Sequence, residues 1–185
     1  MVTTLPNLLT FGRIGLIPCF VLFFYLPFDW SAFAAGTIFG VAAITDWLDG
    51  YLARRLDQTS PLGAFLDPVA DKLMVAVVLI MLLEANPSQL LALPAAVIIG
   101  REIAVSALRE WMAEIGARGK VAVSSLGKIK TAAQMIALIL LIVSPGLPSW
   151  SYWLGLAALY LAAALTLWSM LLYLKAAWPE LSKAE

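Results

Sequence analysis

Four aspartates fall where side chains of their type can act together. The segment reads Asp46-Trp-Leu-Asp49-Gly50-Tyr-Leu-Ala53-Arg54, then Gly63-Ala-Phe-Leu-Asp67-Pro-Val-Ala-Asp71. Asp46, Asp49, Gly50 and Ala53 are spaced i, i+3, i+4 and i+7, which puts them on one helix face. Gly63, Asp67 and Asp71, at i, i+4 and i+8, also share a face. A short turn between the two helices makes them antiparallel. In such a hairpin, residues whose numbers have a constant sum lie at similar depth. Asp46 is therefore expected opposite Asp71, and Asp49 opposite Asp67. Gly50 and Ala53, which lack bulk, leave room for a ligand to approach the backbone.

Carboxylates in apolar helices are costly. Each costs about 2.5–3.5 kcal/mol at the centre of a bilayer, less near its surface, and mutual repulsion adds to this. One or two divalent cations would offset both costs. The chain has no histidine and one cysteine, Cys19, so a conventional zinc site is excluded, as is a disulfide within the chain. Oxygen ligands alone point to Mg²⁺ or Mn²⁺. A pair of such ions can clamp a pyrophosphate and neutralise a leaving phosphate. The simpler alternative pairs the aspartates with Arg54, Arg55 and Lys72 at a membrane surface. It accounts well for one aspartate and poorly for four at matched depths. Trp47 and Tyr51 read as interfacial aromatics.

The elements that must hold these residues are apolar. Of the 185 residues 62% are hydrophobic and 13% charged, against roughly 45–50% and 25% in a soluble domain. A span needs about 20 mostly apolar residues. Six stretches qualify, at about 8–26, 30–54, 63–83, 90–112, 126–143 and 152–176. Pro27-Phe28-Asp29, Asn86-Pro87-Ser88 and 144–149 separate them as turns. The 12 Lys and Arg lie in the 54–72 hairpin, the 101–130 region and the end segments; the other three loops have none. Both termini and the basic loops are therefore expected in the cytoplasm. The expected fold is all-α and integral to a membrane. Residues 1–185 form a single domain, a compact bundle of six transmembrane helices with a polar cavity facing the cytoplasm. Ala34, Ala35, Gly36 and Gly40 would let helices pack closely. No cleaved leader is expected, since the first basic side chain, Arg13, is already inside the apolar pattern. The stretch Trp178 to Glu185 is expected to fray. The net charge of +0 argues against nucleic acid as a partner.

The pattern Asp46-x2-Asp49-Gly50-x2-Ala53-Arg54-x8-Gly63-x3-Asp67-x3-Asp71 resembles the complete signature of the CDP-alcohol phosphatidyltransferases. The resemblance extends over nearly the whole chain. Leu5-Pro6-Asn7-Leu8-Leu9-Thr10 with Arg13 and Pro18 is similar to the start of the bacterial members that make phosphatidylglycerophosphate. So are Arg101-Glu102-Ile103, Ser106 to Trp111, Val121 to Ser124 and Gly127 to Thr131. The resemblance implies a homodimer in the bacterial inner membrane, with six spans and a cytoplasm-facing cavity. It implies that Asp46, Asp49 and Asp67 ligate metal, with two ions per site, and that Asp71 joins them and acts as general base. Gly50, Ala53 and Arg54 would bind the CDP part of the lipid donor, in a site shared with Gly63, Asp46, Asp49 and Asp67. The implied reaction is CDP-diacylglycerol plus glycerol 3-phosphate giving phosphatidylglycerophosphate and CMP.

The acceptor is a dianion, so its pocket should hold Arg or Lys. Arg101 lies within an apolar stretch, where an arginine is a functional candidate, although Glu102 beside it could be its partner. Arg109, Lys128 and Lys130 complete the expected set, with Arg13 ranked behind Arg101 and Arg109. These cations favour a phosphorylated acceptor over serine and do not separate glycerol 3-phosphate from inositol phosphate; a lipid alcohol is the remaining variant. A cation transporter would need its carboxylates near the bilayer centre. Here they lie near one face, and Leu73 to Leu83 runs on without charge. A purely structural membrane protein has no use for four clustered aspartates.

Overall fold

The structure, a computed structural model, describes residues 5–56, 61–117 and 125–182, apart from the side chains of 5, 6, 47, 49–56, 61, 64, 125–129 and 181. The described residues form six α-helices and no strand: α1 Leu5–Tyr25, α2 Ser31–Leu56, α3 Pro61–Ala85, α4 Gln89–Glu114, α5 Ser125–Val143 and α6 Trp150–Leu181. A 3-10 turn, Ser144–Gly146, joins α5 to α6. Each apolar stretch of the sequence is one helix. Among the described residues, three are long and apolar enough to cross a membrane: Asn7–Tyr25 in α1, Gln89–Glu114 (α4) and Trp150–Glu180 in α6. α2 and α5 carry shorter apolar runs, Ser31–Asp46 and Lys130–Gly146. In α3, Asp67, Asp71 and Lys72 interrupt the apolar run.

Local chemistry sets the ends of α4. The Ser88 hydroxyl accepts the Leu90 N–H at 3.2 Å, capping a helix start that would otherwise leave that donor unpaired. At the far end Gly116 takes φ 74°, a left-handed conformation that glycine adopts without a Cβ penalty. There the Ala117 N–H donates to the Met112 carbonyl at 2.8 Å.

The chain divides into two compact units. The first comprises Met1–Asn86 and Leu138–Gly155. Within it α1 packs broadly against α2 and also against α3, while α2 and α3 touch each other only lightly among the described residues. Phe20, Ala35, Phe39, Val78, Leu79 and Ile142 are fully or almost fully buried. A Cβ on Gly36 would stand 2.6 Å from Val143 Cγ1, so glycine is what lets α2 approach the end of α5. Close packing thus holds at Ala35 and Gly36. At Gly40 a Cβ would meet open space.

The second unit comprises Pro87–Ala137 and Leu156–Glu185. Leu91, Ile98, Leu159 and Ala162 are buried along α4 and α6. Met112 and Ala177 form a small core with Leu108, Trp111, Ala117 and Tyr173 around it. That contact narrows the expectation that Trp178 to Glu185 frays: the stretch is helical to Leu181, and 183–185 lie outside the described residues. Ala177 is fully buried, and α6 continues to Leu181 through Pro179. Packing one turn earlier anchors an end that composition alone would leave loose.

Candidate active site

The acidic site is built in the first unit, and α1 supplies partners to two of its members. The Arg13 guanidinium donates through one NH group to Asp46 Oδ1 at 2.6 Å. One turn earlier the Thr10 hydroxyl donates to Asp67 Oδ1. Arg13 is 2% exposed, whereas the Asp46 side chain is 42% exposed. The cation is sunk in the protein and the carboxylate opens outward. Asn7, one turn before Thr10, is buried as well. Asn7, Thr10 and Arg13 thus form a polar strip along an otherwise apolar helix. Asp71 is half-buried, one turn beyond Asp67 on α3, and Gly63 is buried one turn before it. Among the described residues no three carboxylates gather closely enough to enclose a metal ion. Asp49, Gly50, Ala53 and Arg54 lie with their side chains outside the described residues.

The basic residues fall in different places. Arg101 and Lys130 come together in the second unit, and Glu102 joins them. A single oxygen, Glu102 Oε1, accepts from Arg101 at 2.8 Å and from the Lys130 ammonium at 2.7 Å. Arg101 also donates to the Ser169 hydroxyl at 3.0 Å and stands 5.8 Å from the centre of the Tyr173 ring, within cation–π range. Arg101 Nε is buried without a hydrogen-bond partner. Two cations share one carboxylate oxygen here, and Arg101 Nε is a buried donor that an anionic group could use. Arg109, two turns further along α4, is exposed. Lys128 has its side chain outside the described residues. Arg13, the last of the expected acceptor cations, pairs with Asp46.

Thr10 enters the sequence reading only within the Leu5 to Thr10 resemblance, with no role at the site, and Ser169 and Tyr173 do not enter it. The spacing of Asn7, Thr10 and Arg13 in α1 was the available signal, since polar residues three apart in an apolar helix share a face. Ser169 and Tyr173 carry no such signal. A serine and a tyrosine are ordinary in an apolar helix, and only the fold brings them to Arg101.

The family model for CDP-alcohol phosphatidyltransferase matches residues 3–168. A relative from Pseudomonas fluorescens is 59% identical over 180 residues, covering 96% of this chain and 91% of its own length. Relatives from Escherichia coli (strain K12) and Shigella flexneri serotype 5b are each 56% identical over 177 residues, covering 96% of both chains. All three carry the name CDP-diacylglycerol–glycerol-3-phosphate 3-phosphatidyltransferase.

Proposed function

The chain belongs to the CDP-alcohol phosphatidyltransferase family, and from that premise we propose that it transfers the phosphatidyl group of CDP-diacylglycerol to glycerol 3-phosphate. The products are phosphatidylglycerophosphate and CMP. The observation that carries this reading is identity of 56–59% to transferases of that name over nearly the full length, with the eight-position pattern from Asp46 to Asp71 intact.

In the reaction a primary hydroxyl oxygen of glycerol 3-phosphate attacks the phosphorus that bears diacylglycerol. The bond from that phosphorus to the CMP oxygen breaks, and CMP leaves with the electron pair. The hydroxyl proton goes to Asp71, the role that membership of the family implies for it, in a chain with no histidine. Asp46, Asp49, Asp67 and Asp71 would hold Mg²⁺ or Mn²⁺. The donors fit such an ion, because they are all carboxylate oxygens and Asp46 stays 42% exposed beside its Arg13 partner. When bound, the metal neutralises charge on the pyrophosphate and the departing phosphate. Arg101 and Lys130 would bind the acceptor phosphate; the buried, unpartnered Arg101 Nε supports this role.

All six helices cross the bilayer in this reading, with both termini and the carboxylates on the cytoplasmic side. The absence of Lys and Arg from three alternate loops supports it. A cysteine introduced as Ser88→Cys in a Cys19→Ser background should react with an impermeant thiol reagent only from outside. Reaction only from the cytoplasmic side would reverse the orientation.

The purified chain, given CDP-diacylglycerol and Mg²⁺, should release CMP when glycerol 3-phosphate is added. Serine, inositol phosphate or a lipid alcohol should give none. Release with one of those and not with glycerol 3-phosphate would assign a different acceptor.

A further inference from the structure

The contacts made by α1 link the two carboxylate-bearing helices. α2 and α3 touch only lightly among the described residues, and α1 packs on both. From one face of α1, Thr10 reaches Asp67 on α3 and Arg13 reaches Asp46 on α2. A helix outside the aspartate pattern thus contacts a carboxylate on each of the two helices. The charge of the site depends on it, because Arg13 places a full positive charge 2.6 Å from Asp46 Oδ1.

We propose that Thr10 and Arg13 are positioning residues of the carboxylate site, with Arg13 its internal counter-cation. Thr10 orients Asp67, and Arg13 holds Asp46 while lowering the site's attraction for a divalent cation. The inference rests on the reading that Asp46 and Asp67 belong to a metal site. An arginine beside a carboxylate competes with a metal for the same oxygen and repels it through space. Since the Asp46 side chain is 42% exposed, removing the arginine returns that carboxylate to water rather than stranding it in a dry interior. The expected sign is therefore a tighter metal site, the opposite of what damage to the fold would produce.

The test is Mn²⁺ binding to the detergent-solubilised full chain without lipid substrate, followed by electron paramagnetic resonance of the free ion. Arg13→Gln should bind Mn²⁺ on the order of tenfold more tightly than wild type, and Arg13→Lys, which keeps the charge, should stay near wild type. Thr10→Val should weaken binding about three- to tenfold, with Thr10→Ser restoring it. An Arg13→Gln affinity equal to or weaker than wild type, in a chain whose wild type binds Mn²⁺ stoichiometrically, overturns the counter-cation role alone. Unchanged affinity in Thr10→Val overturns the orienting role, and it does so even where Arg13→Gln fails to fold. No stoichiometric Mn²⁺ binding by wild type removes the metal-site reading itself, and this inference with it.

Discussion

The acidic cluster of the first unit and the basic cluster of the second are built with opposite distributions of burial. In the acidic cluster the minority charge is the buried one: Arg13 is 2% exposed and its partner Asp46 is 42% exposed. In the basic cluster the majority charges are buried. Arg101 and Lys130 are 8% and 3% exposed, and the Glu102 they share is 23% exposed. The clusters differ in what happens when the minority charge is lost. Losing Arg13 leaves a carboxylate in contact with water. Losing the Glu102 charge removes a carboxylate that two buried cations share, which is expensive.

The largest effect expected in the acidic cluster is chelation. EDTA should abolish turnover, and Mg²⁺ or Mn²⁺ should restore it; full turnover in the chelator would leave the four aspartates without their proposed ion. Next is Asp71→Asn. Asparagine keeps the size and one coordinating oxygen but cannot accept the proton. A fall in kcat on the order of 10²–10⁴ is expected, with CDP-diacylglycerol affinity retained. Loss of affinity in parallel with turnover would make Asp71 chiefly a ligand.

The contrast between the clusters is tested most directly by stability. Glu102→Gln should destabilise the protein by about 3–5 kcal/mol, the usual cost of breaking a buried charge pair, read as the thermal unfolding midpoint in detergent. Arg13→Gln should cost far less. Equal losses in the two variants would erase the distinction drawn from burial. The smallest effect concerns the acceptor. Arg101→Ala should raise KM for glycerol 3-phosphate by about 10- to 150-fold with little change in KM for CDP-diacylglycerol. Exposed Arg109 should give a much weaker effect as Arg109→Ala. Matching effects from the two arginines would place both at the acceptor phosphate.

Sequence and structure agree most closely where apolar periodicity governs. Helices of this kind satisfy their own backbone hydrogen bonds and need only an apolar surround, so length and composition reveal them without knowledge of neighbours. Legibility falls at the ends. α6 runs past Trp178 because Ala177 is packed against Met112, a partner 65 positions away along the chain. It falls again at the polar contacts. The pairing of Arg101 with Glu102 could be foreseen from adjacency, but the second claim on the same oxygen, by Lys130, could not.

The sequence by itself determined the helices, the four-aspartate pattern and, through its similarity to named transferases, the family. Those features are local: a run of apolar residues and a set of fixed spacings are complete within one or two helices. The tertiary structure decided which charge meets which. It placed Arg13 on Asp46 and Thr10 on Asp67, drew Lys130 to Glu102, and left Arg109 exposed. An ion pair depends on the approach of two side chains within a few ångströms, and helices distant in sequence set that approach only when they pack.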